Sequence, residues 1–331
     1  MLTKVEPISE KSLKLAKKLI LAGEIVAFPT ETVYGLGANV FDENAVKKIF
    51  AAKNRPTDNP LIAHVSDAAM IDLVAAEITP DAKKIIEKMM PGSLTIVLKK
   101  KKTVPDIVTA GIGTVAVRMP LSEEARRFVA ACGVPIAAPS ANLSTRPSPT
   151  TYGAVLEDMD GRIPLILAGE DCGVGIESTV LDLTGEPTVL RPGIVTPSQI
   201  ESVLGKKVSV LTDPKSKVNS PGVRFRHYAP KIPVALDSVG NAERVTARYD
   251  ELNKKGLNPV IFCLEIQAGV FCGRNVLTLG QTETDAANRY FSALRDAEKR
   301  FGYIIITFCP KTEEGFSVLN RMAKSAGGNL I

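Results

Sequence analysis

Short apolar runs alternate with longer amphipathic stretches through the first two-thirds of the chain. Leu15, Ala16, Leu19 and Ile20 recur at helical spacing behind Ser9, a capping residue, and Gly23 suits the end of that helix. Glu24 to Phe28 reads as a strand, Asp42 caps a second helix through Phe50, and Leu61 to Val65 is the next strand. Thr79-Pro80 opens another helix, with proline at the first helical position, where its missing N–H is not needed. Ser93–Leu98, Thr114–Met119, Val134–Ala138, Ile163–Leu167, Thr179–Leu183 and Thr188–Leu190 are further strands. Some neighbours lack a crossover helix between them, which predicts a mixed sheet.

The pattern breaks between Thr212 and Lys231. Pro214, Pro221, Gly222 and Pro230 mark a linker, yet it ends in Arg224-Phe225-Arg226-His227-Tyr228, a dense set of ligand-capable side chains that suggests contact with a neighbouring surface. Ile232–Leu236, Pro259–Leu264, Val276–Leu279 and Tyr303–Phe308 then read as buried strands, with helices over Asn241–Asn253, Thr282–Phe301 and Glu313–Ser325. The expected organisation is a domain over 1–211, a linker over 212–231 that covers the active site, and a small doubly wound α/β domain over 232–331. The last lacks a G-x-G-x-x-G fingerprint, so no dinucleotide is assigned to it.

Composition narrows the chemistry. The 331 residues are 45% hydrophobic and 23% charged, as in a soluble globular protein, and no apolar run is long enough to span a membrane. Met1-Leu2-Thr3-Lys4-Val5-Glu6 lacks the apolar segment of a signal peptide, so a cytoplasmic address is expected. Cys132, Cys172, Cys263, Cys272 and Cys309 contain no C-x-x-C pair, and the two histidines are too few for a multi-imidazole mechanism. No metal site is expected. The net charge of +5 permits an anionic substrate or weak RNA contact without demanding either. Lys99–Lys102 reads as a solvated turn.

Three stretches carry the candidate chemistry: Pro29-Thr30-Glu31-Thr32-Val33-Tyr34-Gly35-Leu36-Gly37, Lys53-Asn54-Arg55-Pro56 and Ala138-Pro139-Ser140-Ala141-Asn142. Each borders an apolar run, where ligand loops of α/β proteins sit. In the first, Thr30, Thr32 and Tyr34 offer hydroxyls, and Gly35 and Gly37 are read as turn glycines. Lys53 and Arg55 follow a helix and precede a proline-stiffened turn, which makes a phosphate clamp. Truncating either is expected to open no core cavity. Small residues around Ser140 and Asn142 let backbone N–H groups approach a phosphate, and Ser148 and Thr150 extend that loop. Arg118 is the single charge in an apolar strand, and it needs an anionic partner, either a protein carboxylate or a ligand. His64, Ser178 and Arg191 lie in or beside other strands. There is no Ser-His-Asp set, Walker motif or H-E-x-x-H. What remains is a pocket for anions and hydroxyls that positions substrates to react with one another.

In these motifs the chain resembles the threonylcarbamoyl-AMP synthases, in their two-domain form with a YrdC-like N-terminal domain. Pro29–Gly37, Lys53-x-Arg55, Ser140-x-Asn142, Glu177-Ser178-Thr179-Val180, Arg191-Pro192-Gly193, Ser220-Pro221-Gly222 and His227-Tyr228-Ala229-Pro230 all match, over essentially the whole chain. The resemblance implies a YrdC-like twisted mixed sheet with flanking helices, plus a smaller Rossmann-like three-layer α/β domain. It implies synthesis of L-threonylcarbamoyl-AMP from L-threonine, bicarbonate or CO2, and ATP, with pyrophosphate release. The product serves N6-threonylcarbamoyladenosine formation at position 37 of tRNA through a partner transferase complex. Mg2+ would arrive with ATP. By the same resemblance Thr32, His64, Arg118, Ala138 and Ser178 line the threonine site. Arg55, Asn59, Thr114, Ser140, Asn142, Ser148, Arg191 and Tyr228 hold the nucleotide, and Lys53 and Arg55 are the catalytic cations. Thr145 stands where the family often has glycine, and Arg224-Phe225-Arg226 where a Lys-Tyr-Lys-like triplet is common.

Two other readings compete. A carbamoyltransferase of the hydrogenase-maturation type would add zinc-finger cysteine pairs and an acylphosphatase-like region, neither of which the sequence contains. A non-catalytic RNA-binding or ribosome-assembly factor would call for a basic patch with interleaved aromatics, and would bind with steep salt dependence.

Overall fold

The computed structural model describes residues 2–211 and 227–331; Pro214, Ser220-Pro221-Gly222 and Arg224-Phe225-Arg226 of the linker lie outside the described residues. The chain divides into two compact units. Of the described residues, the first comprises 2–144, 149–173 and 177–211, and the second 145–148, 174–176 and 227–331.

In the first unit the strands are β1 (Lys4–Pro7), β2 (Val26–Phe28), β3 (Gly35–Asn39), β4 (Ile62–His64), β5 (Leu94–Lys99), β6 (Thr114–Arg118), β7 (Ile136–Ala138), β8 (Leu165–Ala168), β9 (Thr179–Asp182), β10 (Thr188–Arg191) and β11 (Ser209–Val210). The helices are α1 (Glu10–Leu21), α2 (Glu43–Lys53), α3 (Ile71–Val74), α4 (Pro80–Met89), α5 (Asp106–Thr109), α6 (Glu123–Cys132), α7 (Tyr152–Met159) and α8 (Pro197–Leu204). Local chemistry sets their starts. The Ser9 hydroxyl caps α1 in a reciprocal box with Ser12, Asp42 accepts from two N–H groups of α2, and Thr79 caps α4 ahead of Pro80.

One mixed sheet runs β1-β8-β2-β3-β7-β4-β6-β5-β9-β10-β11. Its two faces are distinguished by alternation. Val115, Val117, Ile96, Leu98, Ala63 and Leu181 point into the larger core. Their neighbours Ala116, Val97, Ile62 and Val180 form a smaller apolar cluster with Leu190 on the other face. The site lies on that second face.

Three strands went unread in the sequence. β1 alternates polar and apolar residues at the sheet edge, β11 is two residues long, and β3 contains the two glycines taken for a turn. Gly35 and Gly37 instead stand in the ladder opposite Phe28 and Val26. A Cβ on Gly37 would lie 2.6 Å from Ile136 Cγ2, and one on Gly35 3.0 Å from the Phe28 ring. These glycines make room for Phe28 rather than reverse the chain.

The second unit contains β12 (Val234–Asp237), α9 (Ala242–Lys254), β13 (Pro259–Cys263), α10 (Glu265–Ala268), β14 (Val276–Thr278), α11 (Glu283–Arg300), β15 (Tyr303–Thr307) and α12 (Glu313–Ala326). Its four strands are all parallel in the order β12-β15-β13-β14; β12, β13 and β15 are buried, and the edge strand β14 is half-buried. This is the doubly wound α/β arrangement. No described helix in either unit is long and apolar enough to cross a membrane.

Candidate active site

Strand register assembles the first group of residues. His64 pairs with Arg118 across β4–β6 and with Ile136 across β4–β7, while Ile62 pairs with Ala116 and Ala138. The β5–β6 register, with Ile96 opposite Val117, sets Thr95 opposite Arg118. Directly paired residues share a face, as do i and i+2 along a strand. His64, Arg118, Thr95, Thr114 and Ala138 therefore stand on one face, over the floor of Ile62, Ala116, Val97, Val180 and Leu190.

Arg118 is 3% exposed. Its Nη2 donates to Glu31 at 2.7 Å and its Nη1 to the Thr32 hydroxyl at 2.7 Å. The anionic partner demanded by a buried guanidinium is thus a protein carboxylate, supplied by the Pro29–Gly37 motif. Glu31 also accepts from the Ser93 hydroxyl at 2.9 Å and from the Ser122 N–H at the start of α6. Burial alone would raise the Glu31 carboxyl, but the charge and hydrogen bond of Arg118 hold it down at about 2. The Arg118 Nε–H is buried and has no hydrogen-bond partner among the described residues.

His64 is 4% exposed, and its ring meets Phe28 edge-on at 5.7 Å. Its Nδ1 lies 3.1 Å from the Ile62 carbonyl, which only accepts, so Nδ1 carries the proton and Nε2 is the acceptor. Burial first, and the Arg118 charge second, push its pKa down to about 3. Ser178 shares a 2.8 Å hydrogen bond with Thr95, and Arg191 donates twice to the Ser178 carbonyl and once to its hydroxyl. Of the other hydroxyls of the first motif, Thr30 shares a 3.0 Å hydrogen bond with Thr32 and donates to the Val33 carbonyl, while Tyr34 donates to the Gly169 carbonyl.

A second group gathers around the loop after β7. Lys53 is the last residue of α2 and only 1% exposed. Its ammonium donates to the carbonyls of Ser140 and Asn142, each at 2.5 Å, and its own carbonyl accepts from Ser144. The Ser140 hydroxyl donates to the Asn142 side chain at 2.5 Å. Arg55 donates to the carbonyls of Asn59 and Pro60 at 3.2 and 3.4 Å. Both cations hold main-chain loops. The expectation that Lys53 could be truncated without disturbing the interior is therefore corrected, because its removal strips the partner from two loop carbonyls. β4 has three residues, roughly 7 Å from Ile62 to His64, so the Asn59–Pro60 loop and the His64–Arg118 pair lie about one short strand apart.

Ser148 and Tyr228 fall in the second unit. Tyr228, at φ 62°, lies with its ring 5.0 Å from that of Phe291. The turn at Lys99–Lys102 is engaged with Glu77, Asp106 and the Asp72 carbonyl, as a solvated turn would be. Glu31 and Thr95 were not singled out in the sequence; the signal for Glu31 was its place as the single carboxylate in a motif that had to meet a buried arginine.

A family model described as telomere recombination matches residues 18–193, and one described as threonylcarbamoyl-AMP synthase, C-terminal domain, matches 195–327. The threonylcarbamoyl-AMP synthase of Bacillus subtilis (strain 168) is 41% identical, over 98% of this chain and 95% of that protein. The chain belongs to the threonylcarbamoyl-AMP synthase family. The synthase of Pyrococcus abyssi is also 41% identical, over 98% of this chain and 97% of its own length. The crystal structure of P. abyssi Sua5 complexed with L-threonine superposes with a TM-score of 0.92 at 37% identity, covering 100% of this chain and 98% of that one. Both family models are thus matched in turn along this chain, and the strands that carry Arg118 and His64 lie within the first.

Proposed function

We propose that the protein condenses L-threonine, CO2 or bicarbonate, and ATP into L-threonylcarbamoyl-AMP, releasing pyrophosphate, for N6-threonylcarbamoyladenosine formation at position 37 of tRNA. Full-length similarity to synthases of that name supports the reaction. The observation that carries the site reading is Arg118. It is a buried guanidinium on an apolar face, held by Glu31 and Thr32, with an Nε–H that a substrate carboxylate would meet. Threonine would lie with its carboxylate on Arg118, near Thr32, His64, Ala138 and Ser178. The neutral His64 ring would accept from its amine or hydroxyl.

The chemistry needs no protein nucleophile. The free threonine amine adds to the carbon of CO2 and loses a proton to give the carbamate. A carbamate oxygen then attacks the α-phosphorus of ATP, and the bond to the bridging oxygen breaks as pyrophosphate leaves. Fixing the reactants side by side can contribute about 7–11 kcal/mol towards such steps. Arg55, Asn59, Thr114, Ser140, Asn142, Ser148, Arg191 and Tyr228 would hold the nucleotide. Lys53 would act on the phosphates indirectly, by fixing the Ser140–Asn142 loop through its two carbonyls. Mg2+ would be carried by the ATP phosphates, which fits a donor set in which no group of three His, Cys, Asp or Glu side chains among the described residues could hold a metal.

A transferase complex in the cytoplasm would accept the labile adenylate, and weak RNA contact is compatible with the mild basicity. Incubation with ATP, L-threonine and bicarbonate, followed by mass spectrometry, tests the reading. The adenylate should form only when all three are present; equal pyrophosphate release without threonine would overturn it.

A further inference from the structure

Helix α11 of the second unit presents Asn288, Phe291, Arg295 and Glu298 at spacings of three, four and three, which is one face of a helix. Every member of this stripe engages a segment outside the doubly wound core. Glu298 takes Arg146 in a two-bonded ion pair at 2.7 and 2.6 Å and accepts from the Lys231 N–H at 2.7 Å. Arg295 donates to the Pro147 carbonyl at 2.6 Å, and Phe291 stacks near Tyr228. Gly175, at φ +80°, approaches so closely that a Cβ there would lie 2.4 Å from the Asn288 main chain.

These segments flank the candidate substrate residues. Residues 145–148 begin three positions after Asn142 and end on Ser148; residues 174–176 end two positions before Ser178. Thr145 sits at φ 72°, a left-handed conformation costly for a β-branched residue, while its carbonyl accepts from the Ala229 N–H at 2.8 Å. Such a conformation persists where surrounding contacts impose it. The Arg146–Glu298 pair has side chains only 13% and 4% exposed. A desolvated pair of this kind adds little net stability over an apolar replacement, but it fixes geometry in two dimensions.

We propose that the α11 stripe is a positioning element for synthesis: Glu298 and Arg295 set the nucleotide loop through residues 145–148, and the Asn288 backbone sets the threonine side through Gly175. This rests on the synthase reading above. The test uses the full-length chain and two variants with crossed expectations. Glu298→Gln should raise KM for ATP about tenfold and leave KM for threonine within about twofold. Gly175→Ala should do the reverse. If Glu298→Gln does not fold, Arg146→Gln carries the same expectation. Unsplit KM values, with any loss confined to melting temperature and active fraction, would show a merely structural helix and overturn the proposal. Failure of the wild-type chain to form the adenylate would instead overturn the synthase reading.

Discussion

Replacing Glu31 by glutamine tests the ion pair that orients Arg118. The carboxyl sits at about 2 against an ordinary 4.5, because Arg118 more than offsets the cost of burial. By linkage, a lowering of that size corresponds to roughly 3 kcal/mol of stability at neutral pH. Breaking one side of a buried pair independently suggests about 3–5 kcal/mol. Glutamine keeps the shape, and its one oxygen can still accept from Arg118 and the Ser93 hydroxyl, which favours the lower end, while its NH2 in place of Oε2 cannot accept from the Ser122 N–H. For a unit of this size the melting temperature should fall by about 6–12 °C at neutral pH. The sign of the pH dependence follows from the depressed pKa. The charged form's contribution is complete above pH 4.5 and is lost as pH falls towards 2. The gap between wild type and variant, followed by denaturant unfolding at descending pH, should therefore be widest near neutrality and narrow below 4.5. A gap under about 0.5 kcal/mol at pH 7, or one as wide near pH 2 as at pH 7, would refute the pairing as the source of stability.

Arg118→Ala should weaken threonine binding by about tenfold or more, the worth of a charge-assisted hydrogen bond, and leave ATP binding far less affected; calorimetry showing unchanged threonine affinity in a folded variant rules the role out. Lys53→Met should lose roughly 2–4 kcal/mol, because two loop carbonyls are left without their donor, together with most synthesis; a stable variant with near wild-type turnover would remove Lys53 from the loop-fixing role. Thr145→Gly should raise stability by about 0.5–1 kcal/mol, since relief of left-handed strain outweighs the added chain entropy; a destabilised variant would mean the threonine side chain contributes more than its backbone costs.

The sequence carried the elements wherever local pattern and tertiary burial agreed. The caps at Ser9, Asp42 and Thr79, the apolar strands through Arg118 and His64, and the four strands and three long helices after Lys231 were legible for that reason. β3 was not, because glycine in a loop motif looks the same whether it serves a turn or makes room for a ring; only the Phe28 side chain beneath it distinguishes the two. Lys53 misled differently. A lysine at a helix C-terminus is favoured there in solvent, and nothing local reveals that its ammonium turns inward to Ser140 and Asn142. The Glu31–Arg118 pair spans 87 positions. Its necessity could be read from a lone buried arginine, but not which carboxylate would meet it. The membership of residues 145–148 and 174–176 in the second unit is invisible to any local pattern.

If threonine lies on Arg118 as proposed, the state of His64 bears on how the first chemical step would be driven. With its pKa pushed far below the ordinary histidine value, the ring is neutral at pH 7 and too weak a base to draw a proton from an ammonium group. Burial and the adjacent Arg118 charge both hold it there, so binding a carboxylate on Arg118 would relieve only the second cause. In the proposed reaction the ring would therefore be an acceptor that orients threonine, and the amine would arrive already deprotonated or lose its proton to solvent or bicarbonate. Synthesis at low threonine should rise with pH as the free-amine fraction rises, with no bend at the ordinary histidine value of 6.5. His64→Asn should raise KM for threonine while leaving the shape of that profile unchanged. A wild-type bend between pH 6 and 7 that disappears in His64→Asn would make His64 a titrating base and overturn this assignment.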